Sequence, residues 1–226
     1  MDIQINFSTE NLHSFSDLVE VLQNDNGKVN KYHLSLDDLL QILSSASTGD
    51  RDPSPFLPRN CIRYIKKSSG YEVFVDIPKQ KWMINFNGNM FEVGFPRLIF
   101  SYDCSEYIKS KEKKYSVTIS RIFAVKGKEH ITSKTQLFQF PYSHVQTNGN
   151  VCMGGNKLGD IACLSELATK HNMFFHSPFS TDYGAKTKLG KNIAELFSAE
   201  FNQKEFNDEV LISTNSTFSE LFGITE

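Results

Sequence analysis

The stretch TQLFQFPYSHVQTNGNVCMGG, residues 135–155, decides how this chain is read. Its opening, TQLFQF, has the signature of a short strand. The rest of the stretch is rich in Asn and Gly and should be irregular and turn-forming. A lone cysteine, Cys152, stands in that irregular part with His144 upstream. A partly ionised thiol in such a loop can serve as a nucleophile, and a nearby histidine can act as its base. The plainer alternative is a small apolar side chain tucked beneath a loop.

Upstream, the hydrophobic period is two. CIRYIKK (61–67), YEVFVDIP (71–78) and KWMINFNG (81–88) are three successive strand signals, the first pair joined by a Ser-Ser-Gly turn. FEVGFPRLIFSY (91–102) is a fourth, which Pro96 should break into an edge-like segment. YSVTISRIFAVKG (115–127) is the longest and most β-branched run, as befits a central strand. Neighbours joined by short turns make an antiparallel meander. KSKEKK (109–114), the densest basic run, reads as a solvated hairpin loop. Trp82 alternates with Ile84 and Phe86, a core-strand pattern.

Downstream, LGDIACLSELATKHNMFF (158–175) carries Ile161, Leu164, Leu167 and Ala168 at helical spacing, with Asp160 as its N-cap. KLGKNIAELFSAEF (188–201) repeats the pattern with Ile193, Leu196 and Phe197. At the N-terminus, Ile3, Ile5 and Phe7 suggest a strand, and Asn26-Gly27 a hairpin turn within DLVEVLQNDNGKVNKYHL (17–34). Ser35 and Asp38 begin a helix with Leu36, Leu39, Leu40 and Leu43 on one face. The fold class is therefore α+β: an antiparallel β-meander with C-terminal helices packed on it, plus a small N-terminal α/β extension. Residues 1–56 form the hairpin-and-helix extension and 57–226 the core with its C-terminal helices.

Composition narrows the function. The 226 residues carry 24 Lys+Arg against 26 Asp+Glu, a formal net charge of -2, so bulk attraction to nucleic acid is not indicated. No apolar run is long enough to span a bilayer, and no signal pattern opens the chain. Among Cys61, Cys104, Cys152 and Cys163 there is no C-x-x-C pair, which argues against zinc. The expectation is a cytoplasmic protein with free thiols, no metal and no cofactor. Cys163 should lie on the apolar face with Leu167, although a nearby thiol could also resolve an oxidised Cys152. Cys61 and Cys104 should be packing residues. His171 and His176 flank the Phe174-Phe175 pair, where a Cys–His hydrolase would need a histidine beside Cys152.

Spacing adds a resemblance. In ubiquitin-conjugating enzymes a His-Pro-Asn-Val/Ile segment precedes Gly-x-Ile/Val-Cys, its asparagine eight positions before the cysteine. Here His144 precedes Cys152 by eight, and Val145, Gly149 and Val151 match in kind and place. A closer resemblance covers nearly the whole chain, to the PRTRC system protein B family, also called prokaryotic ubiquitin-conjugating-like family D. It is carried by LPRNCIRYI (57–65), KWMINFN (81–87), FPRLIFSY (95–102), TQLFQFPYSHV (135–145), GNVCMGG (149–155) and FFHSPFS (174–180).

This resemblance implies a mobile-element cassette with a ThiF-like activating enzyme, a small ubiquitin-like or companion protein, a JAMM-type peptidase and a ParB-like protein. It implies a catalytic cysteine at Cys152. There the C-terminus of the small protein would be held as a thioester and passed to an amine, a transferase reaction. His144 stands where both patterns have asparagine, and it can still donate a hydrogen bond or act as a base. Gly149, Asn150 and Gly154 would shape the loop and supply amides to the oxyanion. Two other readings stay open: an inactive scaffold that binds the activating enzyme or the modifier, and a thiol hydrolase.

Overall fold

The computed structural model describes residues 2–6, 13–25, 27–46 and 54–223. They form two compact units, divided at Ser54/Pro55. In the first, β1 (Asp2–Asn6), β2 (Leu18–Asp25) and β3 (Lys28–Ser35) make an antiparallel sheet in that order, followed by α1 (Leu36–Ala46). Ser35 caps the helix: its Oγ accepts the Asp38 N–H at 3.0 Å and donates to the Asp38 carboxylate at 2.6 Å. Gly27 turns the hairpin at φ +87°, while Asn26 and Phe7 lie outside the described residues. Val19, Val21 and Leu39 form the small core. The apolar face expected of α1 is only partly used, because Leu40 and Leu43 remain about half exposed.

The second unit is built on one antiparallel sheet. Its strands are β4 (Cys61–Lys67), β5 (Gly70–Ile77), β8 (Arg97–Lys109), β9 (Glu112–Val125), β10 (Gln136–Gln139) and β12 (Ser213–Thr217). They run in the order β12-β10-β9-β8-β5-β4, with the two-residue β11 (Asp160–Ile161) also on β9. The chain is thus α+β with mostly antiparallel strands.

Two expectations about the sheet are corrected. The meander is interrupted: β6 (Gln80–Phe86) and β7 (Asn89–Phe95) pair with each other as a separate hairpin, and β5 pairs with β8. Pro96 does not make an edge. It separates β7 from β8, and β8 is central, between β5 and β9. Having no N–H, Pro96 costs nothing at a point where the ladder already ends. The basic run is a tight turn, with Ser110 and Lys111 both at positive φ between β8 and β9.

Both faces of the sheet are covered, which is why β5 and β8 carry the unbroken apolar runs VFV (73–75) and LIF (98–100). Val73, Val75, Leu98, Phe100 and Tyr102 face the main core, shared with Ile84, Phe95 and Phe175. Phe74, Ile99 and Phe123 face a second core, closed by Phe218 and Phe222. Those two belong to α4 (Phe218–Phe222), which with β12 went unread in the sequence. Arg121 fixes α4 by lying 4.5 Å over the Phe222 ring and donating to the Leu221 carbonyl at 2.6 Å.

The two C-terminal helices expected from periodicity are short pieces. Residues Leu164–Thr169 form a 3₁₀ helix, α2 spans His171–His176, and α3 (Ile193–Glu195) continues into a π turn over Leu196–Glu200. The apolar residues Ile161, Leu164 and Leu167 are all buried, and their period of three is that of a 3₁₀ helix. Asp160 is not the N-cap. Glu166 instead accepts the Ala162 and Cys163 N–H groups at 2.9 and 3.0 Å, while Asp160 accepts the Tyr107 hydroxyl. Cys163 sits at the N-cap, half-buried, with its sulfur accepting from Ser165, and so does not share the apolar face with Leu167. Cys104 is fully buried, and Cys61 packs partly against the same core.

A bulge in β9 prepares the surface on which the Cys152 segment docks. Ser101 pairs with Arg121 and Tyr102 with Ile119, leaving Ser120 extra. The inward residues accordingly switch from Val117 and Ile119 to Ile122 and Ala124. The bulge also turns the Ser120 carbonyl outward, where it accepts the Val151 N–H at 3.3 Å.

Candidate functional site around Cys152

Residues 144–152 form a miniature hairpin. Val145 bridges Val151, the Gln146 N–H donates to the Asn150 carbonyl at 2.9 Å, and the Gly149 N–H donates to the Gln146 carbonyl at 3.0 Å. At its open end the Cys152 N–H donates to the His144 carbonyl at 2.8 Å. The eight-residue spacing is therefore the spacing of a cross-strand pair, which sets these two residues side by side. The hairpin is docked on β9 by the Ser120 contact and by the Ile122 N–H donating to the Gly149 carbonyl at 2.9 Å. Gly149 has φ +86°, and a Cβ there would stand 2.4 Å from the Phe123 ring. Neither condition admits a side chain easily.

His144 has φ +70°, in the left-handed region. Asparagine and histidine are both enriched there, so the exchange of one for the other preserves the backbone. Its ring is seated against Phe179 at 5.0 Å, and Nε2 lies 2.9 Å from the Pro178 carbonyl. A carbonyl only accepts, so Nε2 carries the proton and Nδ1 holds a lone pair. Burial pushes the His144 pKa down, against the smaller opposing pulls of the Pro178 carbonyl and Asp182.

This has a pH consequence. A histidine whose folded pKa lies below its unfolded value contributes stability above the unfolded pKa, and loses it as pH falls toward the folded one. His171, also lowered by burial, has the same sign. Stability should therefore decline as pH falls below the ordinary histidine value of about 6.5. His144→Gln should flatten only part of that slope in chemical denaturation at stepped pH. An unchanged slope would mean that His144 titrates alike in both states.

Cys152 is exposed. It opens on a cleft of about 240 Å³ lined by His144, Gly154, Asn156, Ser177, Pro178 and Asp182, among others. Asn156, Pro178 and Asp182 were not singled out in the sequence, and Ser177 only as part of the FFHSPFS resemblance. Asn156 Nδ2 donates to Ser177 Oγ at 3.2 Å, and Asp182 accepts from Ser180 Oγ at 2.8 Å. A larger cavity of about 380 Å³, lined by Val117, Ile119, Met153, Leu158 and Asp160, does not include Cys152.

The amides expected to face an oxyanion are mostly spent. Those of Gly149, Val151 and Cys152 bond to main-chain carbonyls, and the Asn150 N–H donates to Asn148 Oδ1 at 3.1 Å. Gly149 and Asn150 thus shape the loop by holding the hairpin, with both of their amides engaged in it. The N–H groups of Met153, Gly154 and Gly155 have no acceptor among the described residues. The three residues line the cleft in a turn with Gly154 at φ +58°, which the Asn156 N–H closes on the Met153 carbonyl at 3.1 Å.

His171 is buried beside Trp82 and His176 is exposed, and neither lines the cleft. The Cys152 thiol has no hydrogen-bond partner among the described residues, so no Cys–His dyad is assembled. Among the described residues no group of three His, Cys, Asp or Glu side chains is placed to hold a metal. No described helix is long and apolar enough to cross a membrane.

A family model described as prokaryotic E2 family D matches residues 35–217. No curated protein and no solved structure matches the chain significantly.

Proposed function

Because this chain belongs to the prokaryotic E2 family D, we propose that it is a ubiquitin-conjugating-like carrier with Cys152 as the thioester-forming cysteine. The observation that carries the reading is an exposed thiol at the end of a docked hairpin, on a cleft lined by Met153, Gly154 and Gly155, whose N–H groups have no acceptor among the described residues. A ThiF-like enzyme would present the C-terminus of a small ubiquitin-like protein as an acyl adenylate. The Cys152 thiolate attacks its carbonyl carbon, the S–C bond forms and AMP leaves. An acceptor amine then attacks the thioester, an amide forms and the thiolate leaves. The Met153, Gly154 and Gly155 amides supply hydrogen bonds to the oxyanion in each step. His144 shapes the cleft, and its Nδ1 lone pair is available to take a proton. The sheet of the second unit would correspond to the ubiquitin-conjugating core, and a JAMM-type peptidase of the same mobile-element cassette would reverse the attachment in the cytoplasm.

A scaffold without turnover is the second reading. It is favoured by the engagement of His144 Nε2 with Pro178, which leaves no side-chain donor of His144 for the oxyanion. Exposure of Cys152 counts against it.

The test mixes the protein with its ThiF-like enzyme, the companion protein and ATP, and reads intact mass. The carrier reading expects a mass shift that thiol reductant reverses, and a reductant-stable ester in Cys152→Ser. Adenylation of the companion without transfer would select the scaffold.

A further inference from the structure

Lys186 is only 6% exposed, yet no carboxylate pairs with it among the described residues. Its Nζ donates to three main-chain carbonyls: Tyr142 at 3.0 Å, Tyr183 at 3.0 Å and Gly184 at 3.1 Å. That uses all three protons of an ammonium. Its own N–H donates to the Pro141 carbonyl at 2.8 Å. The first of these carbonyls lies two residues before His144, and the other two follow Asp182 directly. Lys186 therefore spans the two sides of the Cys152 cleft: the segment that delivers His144 and the loop that delivers Asp182.

We propose that Lys186 is the positioning residue of the Cys152 cleft, its ammonium clamping the His144 segment to the Asp182 loop through three carbonyls. An apolar side chain would fill the same space without a desolvation penalty, so cohesion alone does not explain a buried charge here. Main-chain carbonyls are what a lysine can fix and an apolar residue cannot. The two segments have little else in common: residues 181–184 are bends and turns, and Tyr183 itself has φ +61°. The titratable groups on the segments around Lys186 are Tyr142, His144, Asp182 and Tyr183. From the stretch bridged to Thr187 come Asp208 and Glu209, which are already paired with Lys79 and Lys126. None neutralises the ammonium, and burial brings the Lys186 pKa down to about 8. Above that pH the neutral amine keeps two N–H donors and turns a lone pair toward a carbonyl, so one of the three contacts is lost.

The inference deepens the carrier reading, but its test needs no activating enzyme or ATP, so either can fail alone. Amide hydrogen exchange is followed on the full chain, with iodoacetamide alkylation of Cys152 in parallel. In Lys186→Met, exchange at the amides hydrogen-bonded on the two segments, Cys152 to His144 and Gly184 to Thr181, should rise roughly tenfold or more while β8 and β9 amides stay protected. The alkylation rate should change with it. Should that variant not fold, the wild type is titrated instead. Exchange corrected for base catalysis should rise at those two amides alone between pH 7 and 10. Unchanged protection of the two amides, or a rise spread uniformly over the sheet, would overturn the assignment.

Discussion

Gly149→Ala is expected to destabilise the second unit by about 2–5 kcal/mol and to displace Cys152. Two costs combine. A Cβ at φ +86° sits in a left-handed conformation, which costs about 1–2 kcal/mol for an L-residue. The same atom would lie 2.4 Å from the Phe123 ring, which is fully buried and cannot retreat, adding about 1–3 kcal/mol of overpacking. For a domain of this size the thermal midpoint should fall by roughly 5–15 °C. The hairpin can escape the clash only by lifting from β9, which breaks the Ile122–Gly149 and Ser120–Val151 hydrogen bonds. The Cys152 alkylation rate should then change along with stability. Phe123→Leu in the same chain separates the two costs, since it relieves the packing and leaves the backbone strain. A midpoint within a degree of wild type would show that the hairpin is not seated as described.

Phe179→Ala should cost about 3–5 kcal/mol, as removal of a fully packed aromatic does. Phe179 is 2% exposed and touches Phe174, Phe197 and Phe95 at ring distances of 5.7, 5.8 and 6.0 Å. It is also the seat of the His144 ring, and its N–H donates to the Asn85 carbonyl at 2.7 Å, tying the β6–β7 hairpin to the cleft. The loss should therefore reach the site. His144 should lose its fixed Nε2–H tautomer, visible as averaged ring nitrogen shifts in NMR. A cost below about 1 kcal/mol, or an unchanged His144 signal, would mean that the ring is positioned by Pro178 alone.

Much of the sheet was legible because two-residue alternation and turn chemistry are local. The β4–β5 and β8–β9 hairpins, the α1 cap at Ser35 and the burial of Ile161, Leu164 and Leu167 all follow from neighbours within a few residues. The bulge at Ser120 also had a signal, since alternation through Val117 and Ile119 resumes out of step at Ile122. What stayed hidden depends on distant partners. Nothing local tells whether β6 continues the sheet or leaves it with β7. β12 is STNST, with little apolar character, and becomes a strand because β10 offers it an edge.

The candidate site divides in the same way. The sequence joined Cys152 to His144 through resemblance alone, by a spacing of eight that matches the ubiquitin-conjugating pattern; the tertiary structure showed that spacing to be a cross-strand pair of a hairpin. Gly149 matched the same pattern, and the reason for a glycine there, its positive φ and the Phe123 ring, came with the structure. Only the tertiary structure decided which amides remain unspent, because hydrogen bonds to β9 and within the hairpin consume those up to Cys152 and spare those just after it. It also decided that Ser177, Pro178 and Asp182 complete the cleft. Those residues lie more than twenty positions from Cys152, and burial of the Phe174–Phe179 aromatic cluster, not any local preference, brings them back to it.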